Sequence, residues 1–319
     1  MGMYCFGIDV GGTSVKCGLF LTNGTLVEQW EIPTRLENNG SSILPDVADA
    51  IKTKLDERGI TKDNVDGVGI GIPGPVNENG EVPMAVNLHW GYTMLADDLE
   101  KQKFLSALTA LPAKAANDAN IAALGEAWKG AAEGSKNVIL VTLGTGVGGG
   151  IIIDSKIIAG YHGAGGEIGH ACVNHNEVRP CNCGNHGCLE QYASATGIVR
   201  VANDILEESK EDSKMRHVEK LSAKNVLDFY KEGDALAVKT MEKVGDILGS
   251  TLAVFACVTD PEAIVIGGGV SKAGKPLGSD IQKYYQKYAF PSCKSTPIIL
   301  ASLGNDAGIY GAARMVIKD

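Results

Sequence analysis

The sequence predicts an α/β fold built from two related domains. Three observations carry that prediction. β-prone runs alternate with helical periodicity, a glycine-rich bend follows a strand in each half, and the 319 residues exceed the roughly 100 to 200 of a single domain. Residues 4–10 read as a strand, Gly11 and Gly12 turn it, and residues 15–21 return before Asn23 and Gly24 turn again, which is a hairpin with a glycine-rich bend. Residues 42–58 place Ile43, Leu44, Val47, Ile51 and Leu55 at helical spacing, and residues 65–72 form a buried strand ending at Pro73. Residues 117–128 are again helical. The outline then repeats: residues 137–143 are a strand, residues 144–150 a glycine-rich bend and residues 151–154 the partner strand, resembling residues 6–20. The charged run 207–224 predicts a solvated helical insertion. Residues 239–257 make a long helix, and residues 263–266 before Gly267, Gly268 and Gly269 echo residues 68–74. Residues 297–301 are one more strand, and residues 305–317 a terminal helix that crosses back onto the first domain. The expected division is therefore a small α/β domain, residues 1–117 plus the helix 303–319, and a larger one, residues 118–302, facing it across a cleft.

Composition narrows the function. With 44% hydrophobic and 21% charged residues the chain is an ordinary globular one, and a net charge of −9 argues against a polyanion bound over a broad basic face, so no nucleic-acid partner is expected. No apolar stretch reaches the roughly 18 residues that span a bilayer, and residues 1–10 lack the pattern of a signal peptide, so neither membrane nor export is expected and the location is cytoplasmic. Of eight cysteines, Cys181, Cys183 and Cys188 crowd together while Cys5, Cys17, Cys172, Cys257 and Cys293 are scattered, which is not a disulfide framework.

The chemistry begins at Asp9, which ends the first strand directly before Gly11, Gly12 and Thr13. Glycines let backbone N–H groups approach phosphate oxygens, a threonine hydroxyl adds a donor, and an aspartate holds Mg²⁺ through water. Gly144, Thr145 and Gly146 repeat the arrangement in the second half, so two loops can grip one triphosphate. Neither run has the spacing of a P-loop or of a dinucleotide-binding helix start.

CNCGNHGC supplies Cys181, Cys183 and Cys188, and GEIGH places His170 upstream. Three thiolates and one imidazole make a closed tetrahedral zinc site, structural because no position is left for water. His175 and His186 compete for the fourth place. Glu167 stands three residues before His170 and Glu190 two after Cys188, so the knuckle gathers two carboxylates; these suit a sugar's vicinal hydroxyls, or else serve as solvated or supporting groups.

Taken together, GIDVGGTSVKCGLF, GIPGPV, NLHW, AANDAN, LGTGVGGG, GEIGH, CNCGNHGCLE and VIGGGVS resemble the ROK family (repressor, open reading frame, kinase), specifically its bacterial glucokinases, in order over nearly the whole chain. The resemblance implies an actin-like, hexokinase-like ATPase fold of two ribonuclease-H-like domains, a homodimer, with sugar and ATP meeting in the cleft. It implies that Asp118 of AANDAN is the base that takes the proton of the sugar's 6-hydroxyl, and that Asn117, Asn87, Glu167, His170 and Glu190 hold the sugar. His170 would use one ring nitrogen for zinc and the other for a hydroxyl. Gly11, Gly12, Thr13, Gly144, Thr145 and Gly146 match the phosphate loops, Asp9 the residue near Mg²⁺, Lys16 a basic position, and Gly267, Gly268 and Gly269 the adenosine side. The implied activity is transfer of the terminal phosphate of ATP to glucose. Fructose, mannose, allose, N-acetylmannosamine and N-acetylglucosamine share the contacted hydroxyls, and polyphosphate is an alternative donor. A sugar-sensing regulator of the same family is disfavoured, because a first strand at Tyr4 leaves no room for an upstream helix-turn-helix.

Overall fold

The computed structural model describes residues 2–90 and 101–318. Its contacts divide the chain into two compact units, Met1–Lys136 with Gly150–Gly166 and Ser302–Asp319, and Asn137–Gly149 with Glu167–Ala301.

The first unit is organised by a mixed sheet of β1 (Tyr4–Val10), β2 (Ser14–Leu21), β3 (Leu26–Pro33), β4 (Val65–Ile72) and β5 (Ala113–Asn117), in the order β3-β2-β1-β4-β5. β1, β2 and β3 pair antiparallel, whereas β4 and β5 run parallel to β1. All eight residues of β4 are buried, so its sequence, VDGVGIGI, shows no polar face. On one side the helix Ile43–Arg58 buries Ile43, Leu44, Val47, Ile51 and Leu55 among Phe6, Ile8, Val68 and Ile70, and it stops at Gly59, whose φ of 62° favours glycine. The terminal helix Ala307–Val316 lies against β1 and β4, and glycines make that approach possible. A Cβ on Gly7 would stand 1.9 Å from Ile309 O, and one on Gly69 1.7 Å from Ala312 O. The helix Asp118–Lys129 packs on the same terminal helix, with Gly125 and Gly311 at the crossing.

The second sheet runs β10-β9-β6-β7-β8, from β6 (Val138–Leu143), β7 (Val147–Ile153), β8 (Lys156–Ile157), β9 (Ala263–Gly267) and β10 (Ile298–Leu300). The chain leaves the second unit within β7, between Gly149 and Gly150. In the second unit the long helix Ala235–Thr259 buries Leu236, Val244, Leu248 and Leu252 and contacts the helices Ala195–Glu208, Ala223–Lys231 and Lys275–Tyr288.

Several expectations change. β3 went unread because Glu28, Gln29 and Glu31 interrupt its apolar residues; it is a sheet edge whose Glu28 is held by Lys54 and Arg58. The bend expected over residues 144–150 is confined to Gly144–Gly146, since Val147 already begins β7. Gly150 is strand, and lacks a side chain because a Cβ there would sit 2.6 Å from Ala123 Cβ and 2.7 Å from Ala119 O. The run 207–224 is solvated but is not one helical insertion: a helix ends at Glu208, a short 3₁₀ turn spans Lys214–His217, and Ser222 caps a new helix. Ser213 Oγ and Lys214 N both donate to Asp234, which pins the connection. The division between units also differs from the expected one at residue 117, because the helix Asp118–Lys129 packs on the terminal helix and stays with the first unit.

Candidate functional site

In the first unit Asp9 closes β1, in register with Lys16 of β2. Gly11 N donates to Ser14 O at 3.0 Å to make the bend, and Thr34 braces it, its hydroxyl donating to Gly11 O at 2.7 Å and its N–H to Thr13 O at 3.0 Å. Gly12 and Thr13 are left exposed at the tip. The Asp9 carboxylate lies over the start of the terminal helix, where a Cβ on Gly308 would be 2.3 Å from its Oδ2. Burial, then the charge of Asp118, push the Asp9 carboxyl up to about 6, against an opposing pull from Lys16. Lys16 Nζ donates to Asn305 O at 3.0 Å and stands 3.5 Å from Asp306.

Asp118 opens the helix Asp118–Lys129, and Asn117 caps it. The Asn117 side-chain oxygen accepts from Ala119 N and Asn120 N, while its amide donates to Gly74 O at 3.1 Å. Asp118 Oδ1 accepts from Ala119 N at 2.8 Å, and burial raises the carboxyl pKa although the Ala119 N–H and the Asn117 side chain oppose it. Capping and a poised carboxylate thus coexist in two adjacent residues. Asn87 is exposed in the turn Val86–Leu88, and its carbonyl oxygen is the nearest atom, 3.9 Å away, to a Cβ built on Gly12.

In the second unit the ligand atoms of His170, Cys181, Cys183 and Cys188 all lie within 4.8 Å of one another. Cys183 and Cys188 sulfurs are 3.6 Å apart, and Cys181 Sγ is 3.8 Å from His170 Nδ1. Zn–S bonds of about 2.3 Å in a tetrahedron require edges of that size, so the donor set fits zinc. His170 Nδ1 faces the thiols while Nε2 stands 4.0 Å from Glu167 Oε2, so the two ring nitrogens are divided between the cluster and a carboxylate. His175 instead contacts Cys172 at 3.4 Å, and His186 is exposed. Positive φ at Gly184 (91°) and Gly187 (72°) turns the knuckle. The knuckle is fastened by Arg179, whose guanidinium donates to both oxygens of Glu177 and both of Asp204 at 2.8 to 2.9 Å. Tyr192 O–H donates to the same Glu177, and those contacts hold its carboxyl far below the usual carboxylate range, the Arg179 hydrogen bonds first.

Glu190 joins the knuckle to the second glycine-rich bend. Its Oε2 accepts from Val147 N at 3.1 Å, and its Oε1 lies 3.8 Å from Cys181 Sγ. Gly146 has no side chain because a Cβ there would be 2.2 Å from Glu190 Oε2. Gly268 likewise requires glycine, with φ 82° and a Cβ position 2.5 Å from Leu143 O. Gly144, Thr145, Gly269 and Val270 border a cavity of about 550 Å³ whose remaining walls are Ala195, Ala223, Lys224, Leu227, Asp228, Lys231, Lys272 and Ala273. Apolar walls with a few lysines and a loop of backbone N–H groups at one end suit a nucleoside and its phosphates.

The sequence-predicted residues are therefore grouped within each unit. Asp9, Gly11, Gly12, Thr13, Lys16, Asn87, Asn117 and Asp118 belong to the first, and the zinc ligands, Glu167, Glu190 and both remaining glycine runs to the second. Sequence reasoning missed the cavity wall of the helix Ala223–Lys231 and the Glu177–Arg179–Asp204 brace. The first had a signal: Ser222 and Asn225 form a capping box ahead of Val226 and Leu227. The second had none, since Asp204 lies 25 residues from Arg179.

Two mixed five-stranded sheets and a Cys₃His cluster beside carboxylates define a two-unit α/β protein. The ROK hexokinase of Thermus thermophilus matches it with a TM-score of 0.80 at 28% identity, over 98% of this chain and 97% of that one. The sequence matches the ROK family over residues 5–319, and the chain belongs to that family. A protein of Halalkalibacterium halodurans named glucokinase is 43% identical over 315 residues, 97% of this chain and 94% of its own length. A ROK family glucokinase of Streptomyces griseus, solved in complex with glucose and AMPPNP, is 31% identical over 98% of each chain with a TM-score of 0.71.

Proposed function

We propose that the chain is an ATP:hexose 6-phosphotransferase and that its acceptor is glucose. The observation that carries this reading is the likeness to the Halalkalibacterium glucokinase over 97% of the chain, in a sequence that also keeps the complete cysteine-histidine cluster with its flanking carboxylates.

Phosphoryl transfer asks a protein for alignment and charge neutralisation more than for covalent chemistry. Asp118 acts as the base. Burial raises its pKa above the ordinary carboxylate value, which makes it a stronger proton acceptor, and the Ala119 N–H keeps the carboxylate oriented. Such a base contributes about 10² to 10⁴ in rate. Asn117 and Asn87 present amides to sugar hydroxyls, and Glu167, His170 Nε2 and Glu190 present further acceptors and donors. Gly12, Thr13, Thr145 and Gly146 offer N–H groups and hydroxyls to the phosphates of ATP, in bends that the Gly11 and Gly144 N–H groups close; Asp9 would serve the accompanying Mg²⁺, with Lys16 tempering its charge. Gly267 to Gly269 and the cavity beside them receive the adenosine.

Zinc, held by His170, Cys181, Cys183 and Cys188, supplies no reaction step; it fixes the knuckle from which Glu167 and Glu190 project. Among the described residues no helix is long and apolar enough to cross a membrane; a cytoplasmic location and a homodimeric assembly are part of the proposal.

The test is a coupled ADP assay over glucose, fructose, mannose, allose, N-acetylmannosamine and N-acetylglucosamine, with ATP and with polyphosphate. The highest kcat/KM is expected for glucose with ATP. A higher value for another sugar replaces the acceptor, and no turnover with any sugar removes the kinase reading in favour of a sugar-sensing protein.

A further inference from the structure

The knuckle and the bend Gly144–Gly146 are tied by a second route besides Glu190, and it runs through two hydroxyls that no mechanism above uses. Cys188 N donates to the Gln191 side chain at 3.1 Å, which starts the short helix Glu190–Ala193 directly from a cluster residue. Ser194 ends that helix and caps the next one: its Oγ donates to Glu190 O at 2.6 Å and accepts from Gly197 N at 2.9 Å. Thr196 Oγ1 lies 2.9 Å from Ser194 Oγ and donates to Thr145 O at 2.9 Å, while Ala195 N donates to Gly144 O at 2.8 Å. Every one of these atoms belongs to the second unit.

Proton counting gives the pair its meaning. Two hydroxyls carry two protons and share three contacts, to Glu190 O, to Thr145 O and between themselves. If Ser194 keeps its proton on Glu190 O, the Thr196 proton chooses between Thr145 O, which holds the bend, and Ser194 Oγ, which releases it. The Glu190 side chain bears on the same bend from its other end, through Val147 N. A displacement of Glu190 by a sugar hydroxyl therefore reaches the backbone of Gly144, Thr145 and Val147 through covalent and hydrogen-bonded neighbours, with no gap to cross.

We propose that Thr196, set by Ser194, is a positioning residue that locks the phosphate-binding bend to the zinc knuckle, so that sugar held at the knuckle raises the affinity for the nucleotide. This rests on the kinase reading above. Thr196 is exposed, and valine keeps its shape while removing the hydroxyl, so the fold is spared.

The experiment measures ADP binding by calorimetry, with and without saturating glucose, on zinc-loaded wild type, Thr196→Val and Thr196→Ser, alongside zinc content and glucose affinity. The wild type is expected to bind ADP more tightly with glucose. Thr196→Val should weaken ADP by about two- to tenfold, the loss of one hydrogen bond, and diminish the glucose effect, since Glu190 still reaches Val147 N and Ala195 N still reaches Gly144 O. Zinc content and glucose affinity should stay at wild-type levels, and Thr196→Ser should restore both the affinity and the coupling. Unchanged ADP binding and coupling in Thr196→Val overturns the proposal while leaving the kinase reading intact. A parallel loss of zinc or of glucose affinity overturns it as well, by showing that the hydroxyl merely supports the knuckle. A wild type that binds no ADP at all overturns the kinase reading itself.

Discussion

After β1 the chain bends through Gly11, Gly12 and Thr13, with Gly11 N donating to Ser14 O; after β6 it bends through Gly144, Thr145 and Gly146, with Gly144 N donating to Gly146 O. Each bend joins its two strands through three residues, and the two differ in their closing hydrogen bond and in how each acquires its charge. Two residues before Gly11 stands Asp9, a carboxylate carried on the strand itself, whereas the matching position before Gly144 is Thr142. The second bend borrows its carboxylate from Glu190, 43 residues away from the Val147 N–H that it accepts. The first bend is accordingly open around Gly12, and the second is packed hard against an acid at Gly146. One scaffold used twice can serve two tasks: in the function proposed above, the acid on the strand serves the Mg²⁺ that accompanies ATP, and the borrowed acid serves the sugar.

The largest effect expected is on the first side of this comparison. Asp118→Asn should lower kcat about 10² to 10⁴-fold while glucose affinity by calorimetry stays at the wild-type level; retention of full kcat would break the assignment of the base. On the second side, Cys183→Ser should release zinc to a chelator and lower glucose affinity about tenfold or more, read by elemental analysis and calorimetry. If sugar binding survives complete zinc loss, the knuckle has nothing to do with the acceptor.

The comparison itself is sharpened by a pair of matched substitutions. Gly146→Ala puts a Cβ 2.2 Å from Glu190 Oε2, the end of a flexible side chain that must then leave Val147 N, and should destabilise the protein by about 1 kcal/mol in denaturant unfolding. Gly12→Ala meets no atom closer than 3.9 Å and should stay within about 0.5 kcal/mol. Equal costs would mean that the two bends are packed alike.

The smallest effect concerns pH. Because the fold raises the Asp9 pKa to about 6, the neutral form is favoured. Its contribution to stability is present at low pH and is lost as pH rises from the ordinary value near 3.8 through about 6, the reverse of an ion-paired carboxylate. In the proposed role near Mg²⁺ it is the ionised form of Asp9 that serves, so kcat/KM should fall as pH drops through about 6. Lys16 lowers that pKa, and Lys16→Met should move the acid limb to higher pH. A limb that stays in place would separate Lys16 from Asp9.

The metal cluster was largely legible in the sequence. Cysteines two and five residues apart among glycines can close on one ion almost wherever they lie in a fold, because the chemistry is local. Buried strands such as β4 were legible for the same reason: eight consecutive residues without a polar face leave few alternatives. β3 and the run 207–224 were not, since charged residues on an edge strand or a pinned loop look alike in sequence, and only contacts such as Glu28 with Lys54 and Arg58, or Asp234 with Ser213, distinguish them.

By itself the sequence determined the alternation of strands and helices, both glycine-rich bends, and the cysteine donors of the metal cluster, all of which depend on neighbours within a few residues. Tertiary structure decided which histidine completes the cluster, which nitrogen it offers, and which acid serves the second bend. It also decided that the helix Asp118–Lys129 stays with the first unit. Those outcomes require segments far apart in the chain to meet, and a backbone approach such as Gly69 against Ala312 O is fixed only when the whole core packs.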